Sequence, residues 1–532
     1  MSVKKLQLNN PTELQTDWRS IYIATLLTFV GSVQFSLYFS AMWPYLSILD
    51  SDITESFFGL AIAVYSLGQC ISSPGFGWWS NKIKAVTPPL SCGLQLMLVG
   101  NILYLMMEFV EWIAPRYLLL IGRLIIGFGS GNVAILRTYA STASAPKDNS
   151  KAIAYVTCGQ ALGLTTGPIF QLIFTPLAHP GYTILDYLTF HVYNSPAYLA
   201  CLMNVVGLIL LHFYFKETYA GIVEEEEDDA KNKSIESDLN SEKMERGSPV
   251  PMPHKQKLPD YDQIAVWVSY ATRFADQFVR ANLETLATAF AMMSFSYTEH
   301  LAVTRTSMAQ GAVGAITFGV YIVYIIFDLD KHISNRIWCM MSLVILALFH
   351  VVTYAWPFLP EHVQAPPVLD ANQTSGGGIG CNVTKYDWCE DLTTVNEYVF
   401  YSAYAIMIGI AFPILTITTN QLFSQILGPR RQAVEQGFLQ VAAGVARMIG
   451  PVTAGHLYAW FGPRPVWWLE FVVCLIVLSL WFVFYSRMVP LHVPDELLVH
   501  APETPTDFNP GSLSTLTSTA LSTQENEKKL SA

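Results

Sequence analysis

Gly437-Phe-Leu-Gln-Val-Ala-Ala-Gly444-Val-Ala-Arg447-Met-Ile-Gly450-Pro451 decides how this chain is read. The run is apolar enough to sit in a membrane. It also holds a guanidinium, small residues for close helix contact and a helix-disturbing Gly-Pro step. An arginine at a bilayer centre costs about 2.5–3.5 kcal/mol on insertion scales, so it should face the protein interior or a wet cavity. A fainter copy precedes it, Gly159-Gln-Ala-Leu-Gly163-Leu-Thr-Thr-Gly167-Pro168. The two Gly-Pro steps lie 283 residues apart in a chain of 532, so one half echoes the other.

Composition agrees. The chain is 52% hydrophobic and 13% charged, with mean hydropathy +0.35, against about 25% charged for soluble domains. The net charge of −11 is concentrated in loops, notably Glu224–Asp229. That run reads as a solvated linker, with a trafficking contact as the alternative. No basic cluster interleaved with aromatics is present, which argues against nucleic acid as a partner. Eight cysteines are too sparse for a disulfide scaffold. The first twenty residues are polar and contain no cleavable signal peptide, so the first apolar span must serve as the insertion signal.

Twelve stretches are long and apolar enough to span: roughly 20–44, 56–76, 89–110, 117–141, 152–176, 195–216, 264–297, 306–328, 337–359, 397–420, 434–460 and 465–487. With both termini cytosolic, the loops on that side hold Lys4, Lys5, Arg19, Lys82, Lys84, Arg137, Lys147, Lys151, Lys216, Lys331, Arg336, Arg430, Arg431 and Arg487. The other side holds only Arg116, Arg305, Lys385 and Arg464. The positive-inside asymmetry therefore puts both ends inside.

The expected organisation is a cytosolic tail (1–19), a six-helix bundle (20–217), a disordered acidic linker (218–262), a second six-helix bundle (263–488) and a disordered cytosolic tail (489–532). Residues 361–396 form one long loop on the far side. It carries two glycosylation patterns, at Asn372 and Asn382. Cys381 and Cys389 share the loop and are expected to pair in an oxidising lumen. Asn81-Lys82 after the second span corresponds to Asp330-Lys331 after the eighth, an offset of 249. The further 34 residues needed to reach 283 are supplied by the long loop. Parallel six-helix repeats are the organisation in which a site forms at midplane between the halves.

Specific motifs then point to a family. Arg123-Leu-Ile-Ile-Gly127-Phe-Gly129 resembles the fourth-helix signature of the major facilitator superfamily, and Gly159…Gly167-Pro168 its fifth-helix pattern. Gln171 stands where that pattern has paired glycines, so an antiporter reading does not follow. Gly77-Trp-Trp-Ser-Asn81-Lys82 is similar to the superfamily's gating loop, with Asn81 in place of an acid. Closer likeness lies in Trp43-Pro-Tyr-Leu46, Tyr65-Ser-Leu-Gly-Gln69, Ser73–Asn81, Gly131-Asn-Val-Ala134, Gln160–Gly163, Ile426–Pro429, Ala446–Pro451 and Cys381…Trp388-Cys389. These resemble the lysosomal major facilitator superfamily domain-containing protein 8 family, associated with neuronal ceroid lipofuscinosis type 7. The likeness covers about 20–488 outside the linker. It implies an all-α, twelve-helix membrane protein of the endolysosomal membrane, for which chloride permeation is the proposed family activity. The acidic linker and the charged start of the seventh span depart from it.

Charge inside the membrane marks the candidate pathway. Arg123 reads equally as a site residue or as a structural bond to carbonyls. Gln436, Gln440, Arg447 and Pro451 share one helix face, favouring a cavity lining. Arg273, Gln277, Arg280 and Glu284 form a second stripe. There the two arginines are expected to snorkel to headgroups. Glu284 is either a proton-responsive carboxyl or half of an ion pair with Arg447. Gln69, Gln160, Asn132 and Tyr65 are further candidates, each reading more readily as interhelical glue worth about 1 kcal/mol. His212, His350 and His456 are expected to be interfacial.

No metal-ligand spacing, nucleotide loop or nucleophile–base pair appears, so neither a cofactor nor an enzyme is expected. The expected partners are the bilayer, a small solute or anion, and protons; a monomer is the expected state. The reading is a transporter of a small anion such as chloride, acting as a carrier or a channel, with a non-transporting scaffold as a third possibility.

Overall fold

Each half opens on an aspartate that caps its first long helix. Asp17 accepts from Arg19 N at 3.1 Å and Asp262 from Ile264 N at 2.8 Å, satisfying donors the helix leaves free. The computed structural model describes residues 16–38, 42–50, 55–110, 113–145, 147–174, 176–177, 181–184, 188–220, 258–297, 299–363, 381, 387–389 and 392–493. Asn372, Asn382, most of the linker and the C-terminal tail lie outside them.

Twelve spans follow. The first six are Trp18–Leu37, Glu55–Ile83, Thr87–Leu105, Pro115–Gly129 continued by Asn132–Ala143, Asn149–Phe174, and Ser195–Ile209 continued by a π turn, Leu210–Tyr214. The second six are Gln263–Ser294, Glu299–Ile326, Asn335–Val352, Glu397–Ala403 running through a π turn (Tyr404–Ile408) into Gly409–Leu427, Ala433–Phe461, and Pro463–Val483. The first helix stops at Leu37, short of the expected 44, and a separate helix, Met42–Leu49, follows. A small antiparallel hairpin, Tyr182–Ile184 with Leu188–Phe190, joins the fifth and sixth spans.

Asn81 and Lys82 were expected in a loop, but the second helix continues to Ile83 and includes them. Asp330 and Lys331 sit in a short helix, Leu329–His332. Lys331 pairs with Asp328 at 2.7 Å, not with Asp330.

Both bundles belong to one compact unit, Gln15–Gly247 with Pro259–His492. The repeat is visible in individual bonds. Asn149 Nδ2 donates to Ser141 O at 2.9 Å, and 283 residues on Gln432 Nε2 donates to Ser424 O at 2.9 Å. Ser141 and Ser424, themselves 283 apart, touch through their hydroxyls. Equivalent positions in contact put the pseudo-two-fold axis between them.

Eight described helices are apolar and charge-poor enough to be recognised as spans on composition. The second, fifth, seventh and eleventh are more polar. Each helix pair in extensive contact across the bundles includes the second, fifth or eleventh, and the seventh packs on the eleventh. Lipid gives no hydrophobic drive for helices to meet, so close approach must come from small residues. A Cβ on Gly77 would strike the Ala433 backbone, and one on Gly437 the Pro74 backbone.

Candidate functional site

The second and eleventh spans bring Gln69 and Arg447 together, and the site builds outward from that contact. Gln69 Oε1 accepts from Arg447 Nη2 and, at 3.2 Å, from Gln440 Nε2. Arg447 Nη1 reaches Gln277 Oε1 at 3.4 Å, while its Cζ lies 5.6 Å from the Phe35 ring centre. One half-buried guanidinium thus ties both bundles through neutral amide oxygens, and its Nε has no partner. Gln436, one turn before Gln440, is fully buried with both amide atoms unpaired.

Gln277 continues the network into the second bundle. Its Nε2 donates to Asp276 Oδ2 at 3.0 Å. Asp276 pairs with Arg273 at 2.7 Å and Arg280 at 3.5 Å, and Thr416 donates to it at 3.3 Å. The expected snorkelling of Arg273 and Arg280 is corrected here. Arg273 is 2% exposed, and Arg280 lies 4.1 Å from the Phe412 ring centre. Their counter-charge, Asp276, went unremarked in the sequence. It lies three residues after one arginine and four before the other, the spacing at which helical side chains meet.

Glu284 shares the stripe of Gln277 and Arg280 and is exposed. The charges of Arg280, Arg447 and Asp276 lie near enough to act on its carboxylate. No ion pair joins it to Arg447 among the described residues.

In the first bundle, Arg123 is 2% exposed and none of its guanidinium nitrogens finds a hydrogen-bond partner. It lies 5.1 Å from the Tyr65 ring centre and 5.8 Å from that of Tyr38, a cation–π setting. Tyr38 belongs to a buried network the sequence did not reveal. Its hydroxyl donates to Asn101, Asn101 donates to Gln34, and Gln34 exchanges bonds with Asn204.

Arg137, expected in a cytosolic loop, is 1% exposed inside the fourth span and donates to Gln160 Oε1 at 3.0 Å. It feels Arg273 across the bundle interface. Asn132 donates to Leu90 O at 3.0 Å, away from the centre, as interhelical glue does.

Of the histidines, His212 and His456 are exposed and bond only their own helix. His350 corrects its expectation. It is 1% exposed and 2.6 Å from Glu470, which is also buried. Cys381 and Cys389 are joined as a disulfide.

Hydrogen bonds between the bundles fall on the face that carries the chain ends. Besides Ser141–Ser424 and the Gln69 contacts, Gln421 Nε2 donates to Ser150 O at 2.7 Å, Asn420 to Thr157 at 3.5 Å, and Cys70 to Val441 O at 3.7 Å. The bundles are thus joined on the terminus side.

The Major Facilitator Superfamily model matches residues 24–384 and 389–521. Major facilitator superfamily domain-containing protein 8 of Xenopus laevis is 30% identical over 505 residues, covering 91% of this chain and 94% of that one. Among solved structures, the human organic anion transporter MFSD10 aligns with TM-score 0.56 at 14% identity, over 89% of this chain and all of that one. The proton:xylose symporter XylE aligns at 0.59 and 12%, over 90% and 98%.

Proposed function

This chain belongs to the Major Facilitator Superfamily, a family of membrane transporters, and we propose that it carries a small anion such as chloride across the endolysosomal membrane by alternating access. Both termini are then cytosolic, and the joined face is the cytosolic one. The observation that carries this reading is Arg447, a half-buried cation that holds the two bundles together through neutral acceptors alone. An anion adds a charge–charge attraction that the neutral amide oxygens lack, so an arriving anion competes well for the guanidinium. Taking Arg447 from Gln69 removes a contact between the second and eleventh spans. Occupancy is thereby coupled to opening of the terminus side. Arg123, Arg137, Arg273 and Arg280 outnumber Asp276 and Glu284 nearby, which gives the interior an anion-attracting field. Glu284 lies near Arg280 and Arg447 and is the proton-responsive candidate.

Closure of the terminus face favours a carrier over a continuous channel. Flux into reconstituted vesicles tests this. Saturable, solute-driven anion uptake that Arg447→Gln weakens by about tenfold or more supports the reading. Non-saturating, voltage-driven current supports the channel. Absence of flux for every anion tried supports a scaffold.

A further inference from the structure

His350 and Glu470 lie outside the pathway just described, on the ninth and twelfth spans. His350 Nδ1 is 2.7 Å from Leu346 O. A carbonyl oxygen only accepts, so Nδ1 carries a proton. The other ring nitrogen, Nε2, is 2.6 Å from Glu470 Oε2. Two lone pairs do not meet at that distance, so a second proton lies between them. The pair is therefore imidazolium with carboxylate, or imidazole with carboxylic acid. In either form it is neutral overall and contains one proton that can be given up. Both side chains are 1% exposed.

Glu470 also walls a small cavity among the seventh, eighth, tenth and twelfth spans, with Asn282, Thr306, Tyr401, Tyr404 and Trp467. Its ≈ 20 Å³ of open space suffices for about one water. Asn282 is fully buried with both amide atoms unpaired, so a water there would have polar partners. Asn282 is two residues from Glu284 on the seventh span, so the cavity and the central space adjoin the same helix.

The first bundle also holds a histidine–carboxylate pair, His191 Nε2 with Glu108 Oε1 at 2.6 Å, but it lies at the ends of the third and sixth spans and its carboxylate is 18% exposed. Asn101, which precedes His350 by the 249-residue offset of this part of the repeat, takes part in the uncharged Gln34–Asn101–Asn204 network. At the repeat-equivalent depth, an amide thus stands in the first half where His350 stands in the second.

We propose that His350–Glu470 is a proton-binding site of the C-terminal bundle, holding one proton that it exchanges through the adjoining cavity as the bundles rearrange. This rests on the carrier reading above and adds the ion that drives it. Cys474 on the same helix lies near enough to feel Glu470, Tyr401 and Tyr404 line the cavity, and Glu284 and Arg280 of the seventh span act on Tyr404. Arg464, earlier on the twelfth span, donates to Ala355 O and Thr393. None of these is paired with Glu470 in its place. Losing the proton would leave a buried, uncompensated carboxylate, so the pair keeps it until a rearrangement admits water.

Glu470→Gln keeps an amide donor for Nε2 but removes the exchangeable proton. In vesicles loaded with the chloride that drives exchange, this variant should exchange anion within about twofold of the parent while losing uptake driven by a pH gradient by about tenfold or more. Retained gradient-driven uptake, or equal loss of both, overturns the proposal. A second measurement needs no transport. Infrared difference spectra of the purified chain between acidic and neutral pH should contain carboxyl or imidazole bands that disappear in both Glu470→Gln and His350→Gln. Bands that persist in both variants overturn the proton site whatever the flux assay finds. A parent chain that moves no anion but loses these bands in the variants overturns the transport reading alone.

Discussion

Asp276 shows how much a single side chain decides in the membrane. It is 1% exposed and balances Arg273 and Arg280 while accepting from Gln277 and Thr416. Removing one partner of a buried pair leaves an uncompensated charge, at a cost of about 3–5 kcal/mol. Asp276→Asn should therefore lower the thermal midpoint of the detergent-purified protein sharply. Arg280→Gln, whose side chain is 26% exposed, should cost less. Equal midpoints for parent and Asp276→Asn would remove Asp276 from that role. Asp328 and Lys331 make the contrasting, solvent-exposed case. The Lys331 ammonium donates to Asp328 and holds its carboxyl below the usual value, and Asp328 in turn raises Lys331. A depressed carboxyl stabilises above its unfolded value and loses that effect as pH falls through the folded one. A raised ammonium loses its effect as pH climbs through its folded value. Lys331→Gln should thus lower the midpoint slightly near neutral pH, and the difference should vanish in strong acid or high salt.

Among elements, the second and eleventh helices set the conformation. Gly77 and Gly437 let the backbones touch, and Gln69 with Arg447 pins the contact at its deepest point. A side chain at either glycine overpacks a contact with backbone on its far side, costing about 1–3 kcal/mol. Because that penalty exists only while the terminus side is closed, Gly437→Val should shift the population toward terminus-side opening. Thiol-reactive labelling of single cysteines placed on the inner faces, added from each side in turn, reads the shift; unchanged labelling would show that the contact is not the conformational determinant. The tenth span makes a different point. Its π turn, Tyr404–Ile408, interrupts the regular ladder beside the Glu470 cavity and presents Tyr404 to it. Such turns occur often where a helix serves function.

For the whole molecule, the repeat is both the construction principle and the source of a test. Ser141 and Ser424 meet at the pseudo-two-fold axis on the closed face. Cysteines at both positions should crosslink under oxidation, lock that face and stop anion uptake, with reductant restoring it. Uptake that continues at full crosslinking would show that this face need not open. The twelve spans and the offsets of 249 and 283 could be read from hydropathy and glycine spacing.

The chain itself determined that its helices cross a membrane and form two copies, because the bilayer demands an apolar length and the repeat leaves residues at fixed intervals. It did not determine which charges would meet. Arg273 looked interfacial, Arg137 looked like loop, His350 looked bland and Asp276 passed unnoticed, because position along a helix gives depth but not the neighbouring helix. Only the packed structure assigned those partners: whether a buried charge is a cost, a pair or a site depends on what stands across from it, and that lies elsewhere in the sequence.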